Sequence, residues 1–183
     1  MQKKPYSREY AVHRLTILAV LTSISVVLGI VCKNLFTFQI YYRFTLENLG
    51  VIFAGIVYGP VAGAAVGLLE DALSCFFSGG ALNPLISLGA AMVGATSGFV
   101  SRYIMREHGI VQYATAVALS HLVGQVMIKS AAKMFTFGMP WYGIFIGAFM
   151  SCLAGAVEFT AIKLLMRNGQ IVGLLKKSGV DMS

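Results

Sequence analysis

Tyr113-Ala-Thr-Ala-Val-Ala-Leu-Ser-His121-Leu-Val-Gly-Gln125-Val-Met-Ile-Lys129-Ser-Ala-Ala-Lys133-Met-Phe-Thr-Phe137 is a run in which four polar side chains, His121, Gln125, Lys129 and Lys133, fall at every fourth position. The rest of it is largely apolar, and the run exceeds the roughly 20 residues that carry a helix across a bilayer. Helical spacing stacks the four on one face. An ionisable side chain turned to lipid costs roughly 2.5–3.5 kcal/mol even on the lenient insertion scale, so this face must meet protein or water. The line reads as one wall of a polar cavity inside a membrane protein, and its cationic end suits an anionic guest. At about 1.5 Å rise per residue from a cytosolic start near Tyr113, Lys129 lies roughly 24 Å in and Lys133 roughly 30 Å. Both positions fall in the outer half, so the cavity is expected to open outward. Lys133 can also snorkel to the far interface, which leaves Lys129, a full turn deeper, as the first candidate for ligand contact.

The composition agrees with a membrane protein: 57% of the 183 residues are hydrophobic and 11% charged, against about 25% charged in soluble domains. The first apolar run, Leu15 to Val31, follows Lys3, Lys4, Arg8 and Arg14 in the manner of a signal peptide. No small-residue cleavage site follows and further spans come after, so it reads as a retained first helix. Cys32, Cys75 and Cys152 fall in separate apolar segments without a Cys-x-x-Cys. They read as packing residues, with no disulfide framework, no metal and no cofactor.

Gly, Pro and charge divide the chain into six spans, 13–33, 46–59, 60–78, 83–105, 113–137 and 141–167, an all-α bundle in one membrane domain. Gly59-Pro60 makes the second and third a tight helical hairpin. With both termini in the cytosol, that side holds ten Lys and Arg against four (Lys33, Arg43, Lys129 and Lys133) on the other, as the positive-inside rule requires. Topology and anionic lipid thus account for the net charge of +7, and no nucleic-acid surface is needed. The tail 168–183 reads as a short basic interfacial end.

Small residues mark the faces that pack. Gly59, Gly63 and Gly67 recur on the third span, Ala90, Gly94 and Gly98 on the fourth, and Gly143, Gly147, Ser151 and Gly155 on the sixth; all read as close-approach faces. Ala19 and Ser23 form a sparser pair on the first, able to pack internally or to dock a partner helix. Asp71 continues the third-span glycine line and Glu158 follows the sixth-span stripe, so both acids point into the bundle. They can contact a ligand, or pair with Lys129, Lys133 or His121. Three outer stretches, 34–45, 76–84 and 135–142, carry Tyr41, Phe77 and Trp141 among other aromatics. These form an interfacial belt or stack on a flat ring. The sequence has no G-x-x-x-x-G-K-[ST], H-E-x-x-H or G-x-S-x-G, which argues against ATP binding by a P-loop and against an enzyme.

Arg14-Leu-Thr-Ile-Leu-Ala19-Val-Leu-Thr-Ser23 resembles the first helix of the substrate-binding S components of energy-coupling-factor vitamin transporters. Arg43 to Asp71, with Gly-Pro-Val-Ala-Gly-Ala-Ala-Val-Gly at its centre, resembles their second and third helices. Gly79-Gly-Ala-Leu-Asn83-Pro84 and the helix after it are similar to the folate-type branch, although Asn83-Pro84-Leu85 departs from that branch's Phe-Pro-Gly-Phe-Thr. The resemblance spans most of 13–167 and implies a non-enzymatic importer subunit. Such a subunit binds a vitamin under its extracytosolic loops, while a transmembrane coupling protein, met through Ala19 and Ser23, and two cytosolic ATPases supply the energy. With folate as guest, Lys129 attracts a carboxylate, Lys133 and Arg43 assist, and Gln125, His121 and Asn83 add polar contacts. Asp71 or Glu158 accepts from an aminopterin ring, and Tyr41, Phe77 and Trp141 stack on it. The rivals are another vitamin or precursor (pantothenate, riboflavin, thiamine, queuine precursor), a membrane hydrolase using His121, Asp71 or Glu158, and a structural subunit whose stripe is filled by internal ion pairs.

Overall fold

A computed structural model describes residues 8–35, 44–105 and 109–180. Arg43 and Tyr41 lie outside them. The described residues contain helices and no strand: α1 (Arg8–Leu35), α2 (Asn48–Tyr58), α3 (Pro60–Phe77), α4 (Pro84–Ile104), α5 (Ile110–Phe137), α6 (Gly143–Arg167) and a short α7 (Gly169–Lys177). All but α2 and α7 are long and apolar enough to cross a membrane. Helix α1 starts ahead of the apolar run because its polar first turn still closes backbone hydrogen bonds, with His13 Nδ1 also bonded to the Glu9 carbonyl at 2.9 Å. Two helices change register along their length. Val100–Ile104 ends α4 as a π-helical turn, and His121–Lys129 is π-helical in the middle of α5.

The short α2 is the centre of the bundle, with nine of its eleven residues buried. That explains its apolarity all round, since it has no lipid face to distinguish from a core face. Gly59 (φ 93°) joins it to Pro60, the first residue of α3; this left-handed φ favours glycine. The glycine lines of α3 and α4 face each other. A Cβ on Gly63 would collide with the Gly94 carbonyl, one on Gly67 with that of Ala90, and one on Gly98 with Gly59 and Pro60. The two backbones approach closely along this seam, as small-residue interfaces in membranes do.

The stripe on α6 behaves otherwise. A Cβ at Gly147 would meet nothing nearer than Ser130 Oγ at 3.9 Å, and one at Gly155 would make ordinary contact with His121 Cδ2 at 3.4 Å. Gly147 leaves space beside α5, and Gly155 packs against the side chains of Val117 and His121, so at these two positions the stripe does not bring backbone against backbone as the close-approach reading expected. The outer side of α6 exposes Phe145, Phe149, Leu153, Val157 and Leu164, the surface expected against lipid.

Both described ends of the chain meet at one end of the bundle. Tyr58 Oη and Ser178 Oγ are 2.9 Å apart, the Arg14 guanidinium sits over the Tyr58 ring and donates to its carbonyl at 3.3 Å, and Gly179 lies beside Tyr10. Leu175 is buried and anchors α7 across this end.

Candidate functional site

In an α-helix a four-residue step overshoots the 3.6-residue turn by about 40°, so a four-residue stripe drifts around the axis. The wider turns of His121–Lys129, bonded i to i+5, counter that drift. His121, Gln125, Lys129 and Lys133 consequently line one cavity of about 70 Å³, together with Ser130. Gly147, Met150, Ser151 and Ala154 of α6 form the opposite wall. Thr45 and Glu47, just ahead of α2, and Ile86 of α4 complete it. The cavity lies towards the end of the bundle away from the two termini.

Lys129 is buried, 4% exposed. Its stem runs against Gly89 of α4, where a Cβ would strike Lys129 Cγ, and its amine donates to Glu47 Oε1 at 3.1 Å. Glu47 is equally buried and sits against Gly29 of α1, with Glu70 Oε1 and Ser74 Oγ beside the same glycine. Glu70 accepts from Ser74 Oγ at 2.8 Å. The desolvation of such a pair is offset only by close geometry and by the polar groups around it. The sequence reading did not include Glu47, because it precedes α2 outside any helical period and lies 82 residues from its lysine.

Deeper along α5, His121 joins two groups of α6. Its Nε2 is 2.7 Å from Glu158 Oε2 and its Nδ1 is 2.7 Å from Ser151 Oγ. Glu158 is fully buried, and its Oε1 has no hydrogen-bond partner. Asp71 points into the bundle as well, but accepts from Ser87 Oγ at 2.6 Å and does not line the cavity. Asn83 caps α4 through the Leu85 N–H at 3.0 Å and donates to Thr136 Oγ1 at 3.0 Å, tying α4 to the end of α5. Phe77 and Trp141 are 64% and 68% exposed; Phe77 packs edge-on with Phe76, and Trp141 with Tyr142 and Phe145. Neither ring lines the cavity. Of the three hydrolase candidates, His121 and Glu158 converge and Asp71 stands apart. Ala19 and Ser23 lie on the exposed side of α1.

Six apolar helices around an offset polar cavity find their counterpart in the sequence, which matches the family described as ECF transporter, substrate-specific component, over residues 13–167. The chain belongs to this family of S components. It is accordingly a multi-pass membrane protein that binds a substrate for transport and is not an enzyme. No curated protein matches the sequence. Among solved structures, the fold is similar to that of FolT crystallised with folic acid, with a TM-score of 0.67 and 14% identity over 82% of this chain and 90% of that one. It is also similar to the S component of a bacterial ECF transporter, with a TM-score of 0.65 and 21% identity over 89% of this chain and 97% of the other. At these identities the likeness of this S component to the two structures is one of fold.

Proposed function

We propose that this S component captures a water-soluble vitamin bearing an anionic group, with folate as the leading guest, for ATP-driven uptake. The carrying observation is the cavity wall on which Lys129, Lys133, Gln125 and His121 converge. Ten basic residues on the side of the termini against four on the other favour cytosolic termini, so the cavity faces the outside. A carboxylate of the guest is drawn to Lys133, with the Lys129–Glu47 pair behind it. Glu47, the acid that lines the cavity, accepts from ring amines, while Asp71 and Glu158 stand behind the wall. Phe77 and Trp141, exposed at the same end, offer faces to the guest's rings as the mouth widens, because about 70 Å³ holds a few waters and a vitamin-sized site needs several hundred. The folate-bound neighbour supports the same guest. The outward Ala19 and Ser23 of α1 dock the coupling protein, which joins the bundle to two cytosolic ATPases.

Thermal unfolding of the purified chain in detergent tests the guest, against folic acid, pantothenate, riboflavin, thiamine and a queuine precursor. Folic acid at a hundred times its dissociation constant is expected to add about 2.7 kcal/mol of stability. A shift with another vitamin and none with folic acid would replace the guest.

A further inference from the structure

Ser151 faces the cavity with its hydroxyl 2.7 Å from His121 Nδ1, while the other ring nitrogen is 2.7 Å from Glu158. Three arrangements of protons fit these distances. In two of them the Glu158–His121 pair is neutral overall: a carboxylate beside an imidazolium, or a carboxylic acid donating to Nε2 of a neutral ring. In both, Nδ1 carries a hydrogen and donates to Ser151 Oγ. The third leaves Glu158 ionised beside a neutral ring protonated on Nε2, and only there does the serine spend its hydrogen on the histidine.

That third arrangement places an uncompensated negative charge at a fully buried position whose Oε1 has no partner. Uncompensated buried charge is strongly unfavourable in a protein and more so in a membrane. Lys129 does not provide the balance, because its amine is held by Glu47. We therefore propose that Glu158 and His121 act as positioning residues that fix a hydrogen on Nδ1 and turn the Ser151 hydroxyl into a hydrogen-bond donor aimed at the guest. Ser151 then determines specificity: it selects a guest presenting an acceptor, a carbonyl oxygen or an unprotonated ring nitrogen, at this depth, several ångströms from the lysines. Among the described residues Ser151 makes no other hydrogen bond, so its hydrogen is not spent on any of them. The inference deepens the proposed function and rests on the same cavity.

Two measurements test it. A chain with His13→Gln and His108→Gln keeps His121 as its single histidine, and its ¹⁵N NMR spectrum without ligand reports which ring nitrogens carry hydrogen. Nδ1 is expected to be protonated, and an unprotonated Nδ1 overturns the inference. Binding of folic acid is then compared in Ser151→Ala, expected to weaken it about tenfold as one neutral hydrogen bond is lost, and in Ser151→Thr, expected to retain it. Unchanged affinity in Ser151→Ala overturns the donor role. Absence of folic acid binding to the parent chain removes the folate reading and leaves the ring-nitrogen result to decide this one.

Discussion

Lys129 and Glu47 are each buried among apolar helices, and each is tolerable there because of the other. Truncating one partner removes the buried salt bridge that the two share, and breaking such a pair typically destabilises by about 3–5 kcal/mol. Lys129→Met is therefore expected to lower the unfolding midpoint sharply, and the double variant Glu47→Gln with Lys129→Met to recover most of the loss without recovering ligand binding. Thermal unfolding of the three proteins checks this, and a single variant as stable as the parent would contradict the pairing. At this scale the sequence was legible for α5 and less so elsewhere. His121, Gln125, Lys129 and Lys133 share a four-residue spacing that keeps them near one face of any helical register. Glu47 has no such spacing, and its meeting with Lys129 depends on where α2 enters the bundle. Ser151 looked like one more small residue in a packing stripe, since only the position of His121 on the facing helix gives its hydroxyl a role.

Helices α3 and α4 carry their packing instructions in their glycines, which is why that seam was readable from four-residue repeats. Gly147 and Ser151 of the same repeat on α6 line a cavity, because nothing in a glycine says whether backbone or empty space lies opposite it. The π-helical register of His121–Lys129 was not readable either: both registers satisfy the backbone, and packing against α4 and α6 chooses between them.

Two polar levels organise the described residues: the cavity, and the basic end where α1, α2 and α7 are joined through Arg14, Tyr58 and Ser178. Membrane crossing and helix count follow from hydropathy and length, and the short α2 needed no lipid face because its neighbours surround it. The charge bias predicts cytosolic termini. Replacing the three native cysteines and introducing Lys177→Cys or Gly138→Cys separates the two ends. An impermeant maleimide added to intact cells is expected to label the cysteine at 138 and not the one at 177, and the reverse pattern would invert the topology and close the cavity to the outside. The most direct test of the central claim, that the polar face of α5 borders the binding site, is a structure of the chain saturated with folic acid. The account predicts the guest between α5 and α6 within hydrogen-bonding distance of Lys133, Gln125 and Ser151; a guest bound elsewhere, with this cavity unchanged, would contradict it.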